Sequence, residues 1–278
     1  MISTKKELHC EIYNSDDLHL HYAKGPSIEP GREFHIYNEI LYIPKITGKL
    51  ITESGKIDIK SGTLLVIPRE SFHHLIVDKP DEYTRFCFNF DNPKGLEEIV
   101  DICMGNTCII ENPSERIVSL FNSLPAIFSE SEIDKGILIF AVFSEILVYL
   151  KKELKRGIQI DPKNSDEVIC NVLNYINKNY CSPINLDEIS DNLKISPSSL
   201  SHIFKKNLNI SVYKYITDKR MITAQKLIKS GVSPTVTAFK CGFTDYTAFY
   251  RSYKKYYGMS PKESKNQQIF LDPNHYGD

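Results

Sequence analysis

Two runs near the end of this 278-residue chain each set small hydrogen-bonding side chains ahead of cations. One is Ser198, Ser201 and His202 followed by Lys205 and Lys206; the other is Tyr246, Thr247, Tyr250 and Arg251 followed by Lys254 and Lys255. Helical residues three and four apart are neighbours on one face, so each run would present donors and acceptors first and positive charge beyond. Such a face suits the major groove of a duplex: hydroxyl, imidazole and guanidinium groups address base edges while lysines meet flanking phosphates. Arg251 is the strongest single reader, because its planar fork can donate two bonds to a guanine edge or a phosphate. Arg220, between the runs, is expected on the phosphates as well.

A second set lies in the first third: Glu33, His35 and Glu39, with His73 and His74 further on. Alternate residues of a strand share a face, and imidazole with carboxylate is a competent ligand set for a divalent ion. Structural hydrogen bonds in a barrel without metal account for the same residues and are the preferred reading, so no metal or cofactor is assigned. His19 and His21 alternate in the same way. The seven cysteines form no Cys-x-x-Cys pair, which suggests neither a zinc ribbon nor a redox dithiol.

The elements that must hold the two C-terminal runs are marked by cap residues. Asn185 can cap a helix with Leu186, Ile189 and Leu193 on its apolar side; a turn through Lys194 and Ile195 leads to Ser196 as the next cap, with Pro197 first in the helix. Leu200, Ile203, Phe204 and Leu208 then face inward. A unit of similar plan opens at Ser233 and Pro234, turns at Gly242 and restarts at Asp245, with Phe249 and Tyr253 inward. Between the two, residues 211–229 read as one helix about 28 Å long, at ~1.5 Å per residue. That is close to the roughly 34 Å between successive major-groove faces of a duplex.

Upstream the pattern is different. Residues 39–46, 49–53, 56–59, 63–67 and 83–90 are short runs rich in Ile, Leu, Val, Tyr and Phe, punctuated by glycines, as in a sandwich or barrel. Residues 136–155 switch to a helical period, with an apolar stripe wide enough both to cover its own domain and to pair with another helix. Residues 156–164, with Gly157 and Pro162, read as a linker. Charge divides at the same place: residues 1–164 hold 19 Lys+Arg against 25 Asp+Glu, net −6, whereas 165–265 hold 15 against 8, net +7. A basic C-terminal half is what a polyanion partner requires. The N-terminus lacks the apolar core of a signal peptide and no apolar run approaches membrane-spanning length, so a cytoplasmic protein with no membrane partner is expected.

The spacing Tyr215-Ile216, Arg220-Met221, Ala224, Leu227-Ile228, then Ala238, Gly242-Phe243-Thr244-Asp245, Phe249, Arg251, Tyr253-Lys254, Gly258 and Ser260-Pro261 resembles the signature of the AraC/XylS family. Thr237 stands where that family usually has an aliphatic residue, and Ser190 where Ala is common. More loosely, residues 34–42 with Gly48, Gly62, Pro68 and His73 resemble a cupin pattern, with Glu33 in place of its first His. The resemblance implies a two-domain α+β chain: a cupin-like β-barrel with dimerisation helices over 1–155, a linker over 156–164, an all-α double helix-turn-helix domain over 165–265 and a tail over 266–278. It implies a sequence-specific transcription regulator and not an enzyme, an activator rather than a repressor. The implied partners are double-stranded promoter DNA, RNA polymerase and a small-molecule effector held by Glu33, His35, Glu39 and His73. It also implies a homodimer paired through Phe140, Phe143, Leu147 and Leu150. A barrel lined with Ile, Leu, Phe and Tyr would accept an acyl chain as readily as an aromatic, whereas a sugar would need a polar convergence that the sequence does not place. One rival is a metal-dependent cupin enzyme with a helical appendage, against which Glu33 breaks the needed His-x-His. Another is a repair regulator with a reactive thiol, for which Cys10 stands alone in its region.

Overall fold

The structure, a computed structural model, describes residues 9–25, 32–33, 37–52, 55–69, 71–155, 158–159, 167–208 and 210–266. The N-terminal strands form two sheets. The larger runs β1 (His9–Asn14), β2 (Leu18–Lys24), β9 (Thr84–Phe90), β4 (Asn38–Lys45), β7 (Thr63–Ile67), β10 (Cys108–Ile110) and β11 (Ile158–Gln159) in spatial order; the smaller runs β3 (Arg32–Glu33), β8 (His73–Val77), β5 (Gly48–Thr52) and β6 (Gly55–Ile59). The expected closed barrel does not form among the described residues. Both edges of β4 are occupied, by β9 and β7, and both edges of β5 by β8 and β6, so no ladder joins one sheet to the other.

Strand alternation sends side chains to three separate cores. On one face of the larger sheet, Ile40, Tyr42, Leu64, Val66, Phe86, Phe88 and Phe90 pack under α1 (Glu97–Cys103), α2 (Glu115–Ile127) and α3 (Glu132–Glu153). On its other face, Leu41, Ile43, Leu65 and Ile67 meet Leu50 and Leu75 of the smaller sheet. Ile51, on the far side of the smaller sheet, and Phe72, just before β8, belong to a third core that is otherwise made by C-terminal helices. The molecule is therefore layered: three helices, the larger sheet, the smaller sheet, then the C-terminal helices.

Three expectations change here. The helix expected from residue 136 starts at Glu132, because Ser131 caps it and its Oγ accepts from the Asp134 amide at 3.2 Å. Of the four residues expected at a pairing surface, Phe143, Leu147 and Leu150 are fully buried in the core of their own domain, and only Phe140 is exposed. The stripe is wider than one face, and the sheet took its centre. The apolar side chains that α3 shows to solvent are Ile133 (77 % exposed), Ile137 (63 %), Phe140 and Val148, at helical spacing, with Leu138 off that stripe. Within the stretch expected as a linker, Ile158 and Gln159 form an edge strand on β10.

The C-terminal part is helical: α4 (Glu167–Asn179), α5 (Leu186–Leu193), α6 (Pro197–Leu208), α7 (Val212–Lys229), α8 (Pro234–Lys240) and α9 (Tyr246–Tyr257), with a 3-10 turn at Glu263–Asn266. No described helix is long and apolar enough to cross a membrane.

Candidate nucleic-acid interface

The pairs α5–α6 and α8–α9 are two copies of one local design. Asn185 accepts from the Glu188 amide at 2.9 Å to start α5, and Ser233 accepts from the Val236 amide at 3.4 Å to start α8. Both first helices end in a left-handed residue, Lys194 at φ +55° and Gly242 at φ +80°. In each, the next amide returns to the chain five residues back, Ile195 to Ser190 and Phe243 to Ala238, both at 3.1 Å. The second helices then restart on Ser196, which accepts from the Ser199 amide at 3.1 Å, and on Asp245, which accepts from the Ala248 amide at 2.8 Å. Only glycine fits at 242, since a Cβ there would lie 2.9 Å from the Cys181 backbone.

Laid cap on cap, Ser196 over Asp245, the two 12-residue helices α6 and α9 match position for position. Leu200, Phe204 and Leu208 correspond to Phe249, Tyr253 and Tyr257, and all six are buried. Ser198, Ser201, His202, Lys205 and Lys206 correspond to Thr247, Tyr250, Arg251, Lys254 and Lys255; all are exposed except Tyr250, which is half-buried against Tyr246. The structure thus brings the two expected reading faces out to solvent, each with hydroxyls near the N-terminus and cations in the last turn.

The helix α7, capped by Ser211, is the shared beam: 18 residues, or about 27 Å at ~1.5 Å per residue. Its first half supplies Val212, Tyr215 and Ile216 to the core of the first unit, and its second half supplies Met221, Ala224 and Ile228 to that of the second. Tyr257 ties α9 to it by donating to the Met221 carbonyl at 3.1 Å.

Arg220 occupies a different place from the one expected. Its Nε donates to the Tyr180 carbonyl at 2.7 Å and a terminal nitrogen donates to the Ser182 carbonyl at 2.8 Å, while the guanidinium lies over the Phe243 ring. Burial lowers its pKa. It clamps the α4–α5 turn and the second-unit turn to α7, with two of its five N–H donors on backbone carbonyls. The two family departures are also informative: Ser190 and Thr237 are buried, and neither hydroxyl finds a hydrogen-bond partner.

The polar set of the N-terminal part divides. Glu39 and His73 meet between the sheets, with Nε2 3.3 Å from a carboxylate oxygen, both side chains almost wholly buried. The Cys87 thiol donates to the other Glu39 oxygen at 3.2 Å, and Asn89 lies 3.4 Å from the same sulfur. Cys87 and Asn89 were not singled out from sequence, although the alternation of Phe86, Phe88 and Phe90 puts them on the opposite face of their strand. His74 points away from this group: it is the cross-strand neighbour of Ile51 on the outer side. His19 is kept neutral by burial, its pKa lowered to about 4, and its Nδ1 donates to Asn14 at 2.7 Å. His35 lies outside the described residues; for Glu33 only the backbone is described, paired with His73. Among the described residues no three His, Cys, Asp or Glu side chains are grouped to hold a metal ion. The thiol of Cys10 has its pKa raised, first by burial, the opposite of an activated cysteine.

A helix-turn-helix domain family matches residues 189–267. The chain is similar to the Msm operon regulatory protein of Streptococcus mutans, 23 % identical over 94 % of this chain and 93 % of that protein. It is similar to the HTH-type transcriptional regulator YdiP of Escherichia coli, 24 % identical over 88 % and 84 %. The lactose operon transcription activator of Staphylococcus xylosus is 27 % identical over 58 % of this chain and 56 % of its own length. Two capped helix pairs on one beam, a helix-turn-helix domain match over residues 189–267 and transcriptional regulators similar along most of the chain together mark a DNA-binding transcription regulator.

Proposed function

We propose that the chain is an activator that grips two successive major-groove segments of promoter DNA and is controlled by a hydroxylated small molecule bound between the sheets of its N-terminal part. The observation that carries the first half is the position-for-position match of α6 and α9 on a stiff shared helix, with both outward faces exposed. Ser198, Ser201 and His202 in the first unit and Tyr246, Thr247, Tyr250 and Arg251 in the second would address bases. Lys205, Lys206, Lys254 and Lys255 would sit on phosphates, and Arg220 is left out of the contact set because two of its donors are held by the Tyr180 and Ser182 carbonyls. RNA polymerase would be met by the complex on DNA, in the cytoplasm.

The second half is supported by the polar convergence of Glu39, His73, Cys87 and Asn89 inside an otherwise apolar inter-sheet core, in a partly open, cupin-like arrangement. A carboxylate acceptor beside an imidazole and an amide suits hydroxyl groups better than an acyl chain. The Staphylococcus xylosus relative, named for a lactose operon, favours a sugar. A homodimer would form through the outward stripe of α3, Ile133, Ile137, Phe140 and Val148. Antiparallel pairing there would set Glu132 and Asp134 of one copy near Lys151 and Lys152 of the other. We place the boundary between the two domains at 156–164.

The test is selection of bound duplexes from a random-sequence library with the full chain, followed by affinity against salt. The expected result is a two-part site and a log–log slope that shrinks by about 0.9 for each of Lys205, Lys206, Lys254 and Lys255 changed to Ala. No enriched sequence, or salt-independent binding, would contradict the reading.

A further inference from the structure

The inter-sheet polar pair and the DNA-binding domain are separated by the thickness of one strand. His73 opens β8 and points between the sheets to Glu39. Phe72, the residue before it, is buried on the other side, where its ring meets Tyr215 of α7 edge-on at 5.3 Å between centroids. Tyr215 in turn meets Phe204 of the reading helix α6 at 5.6 Å, again edge-on. Ile51, from the strand beside β8, enters the same core.

The turn that carries Phe72 is held to the polar pair at both of its ends. On the near side, the Arg69 amide donates to Asn38 Oδ1 at 3.0 Å, and Asn38 is the residue before Glu39. The Arg69 guanidinium pairs with Asp91 at 2.7 Å, and the Asn38 amide donates to the Asp91 carbonyl at 3.0 Å, so this end is braced twice. On the far side stands His73 itself. A change in the Glu39–His73 distance must therefore move the Phe72 turn relative to α7, because packed interiors shift as units and do not deform freely.

The second unit has no share in this contact. Among the described residues its core draws only on residues from α7 onward, Met221 to Met259, whereas that of the first unit includes Ile51 and Phe72. We infer that Arg69, Phe72 and His73 form a transmission element that couples the Glu39–His73 pair to the first helix-turn-helix unit and leaves the second unit uncoupled. Effector control then acts by tightening or loosening α6 while α9 keeps its structure. This rests on the proposal that the inter-sheet cluster is the effector site, but the coupling can be measured without any effector.

The experiment is backbone hydrogen exchange, read by mass spectrometry on the full chain, for wild type, Glu39→Gln, Phe72→Leu and the double variant. Glu39→Gln keeps the side-chain shape while removing the charge beside His73. It is expected to change exchange in α6 and the first half of α7 by about threefold or more, with α9 unchanged. In the Phe72→Leu background the same substitution is expected to leave α6 unaltered. His73→Asn serves as an independent perturbation of the pair should Glu39→Gln fold poorly, with the same pattern expected. An equal response in α6 and α9, no response in α6 to either substitution, or an α6 response that survives Phe72→Leu would each overturn the inference. Separately, a panel of mono- and disaccharides that leaves the melting temperature of wild type unchanged would sink the sugar reading while leaving this coupling result standing.

Discussion

The two helix-turn-helix units share a plan and differ in what surrounds it. The first packs its core against the N-terminal domain, through Phe72 and Ile51, and presents two serines and a histidine for reading. The second has a self-contained core, rich in edge-on and tilted ring contacts from Phe243 to Tyr257, and presents two tyrosines, a threonine and an arginine. Contact with the N-terminal domain and the richer set of outward aromatic and cationic side chains thus fall on different units. A regulator built this way can keep an anchor on its site while a second, weaker grip is adjusted.

The largest effects should come from breaking each core in turn. Phe204→Ala and Tyr253→Ala both remove a fully buried ring and should cost about 3–5 kcal/mol in local stability. They should differ in reach. Loss of Phe204 is expected to loosen Tyr215 and the docking of the N-terminal domain, while loss of Tyr253 should stay within α7–α9 and the turn held by Ser264, whose hydroxyl lies 2.7 Å from that of Tyr253. Limited proteolysis near residues 156–164 would report the difference, and equal cleavage of the two variants would erase the distinction between the units.

Next in size is the contrast between matched readers. Arg251→Ala should weaken binding to the selected site by about 1–3 kcal/mol and relax preference at one base position, as loss of a bidentate contact does. His202→Ala, at the corresponding position of the first unit, should cost less than about 1 kcal/mol. Fluorescence anisotropy on the same duplex compares the two; a larger loss for His202 would invert the assignment of anchor.

The smallest expected effect sharpens the comparison without touching DNA. Ser190→Ala in the first unit and Thr237→Val in the second each replace a buried hydroxyl that has no partner by a group of similar shape. Each should stabilise its own unit by about 1 kcal/mol, readable in thermal unfolding. Destabilisation by either would mean that its hydroxyl is satisfied in solution.

What the sequence made legible was local. Caps at Asn185, Ser196, Ser233 and Asp245 sit where their side chains best satisfy exposed amides, and each is found accepting the bond that its type predicts. Strand positions followed from alternation, but the sheet each strand joins depends on long-range pairing, so two facing sheets replaced a single barrel. The wide stripe on α3 could not say which part the domain would keep, and Phe143, Leu147 and Leu150 went inside. The clamp made by Arg220 was hidden for a related reason: charge and position in a signature are visible in sequence, whereas two backbone carbonyls waiting at Tyr180 and Ser182 are not. Phe72 had no signal at all, since an aromatic before a strand is ordinary until a second domain packs on it.

The most direct test of the central claim is protection of guanine N7 from methylation along the selected duplex by the full chain. The expected footprint is two major-groove segments about 10 base pairs apart on one side of the helix, with Arg251→Ala erasing protection in one segment and His202→Ala affecting only the other. A single protected segment, or loss of both segments together on changing Arg251, would contradict the picture of two independent reading helices held on one beam.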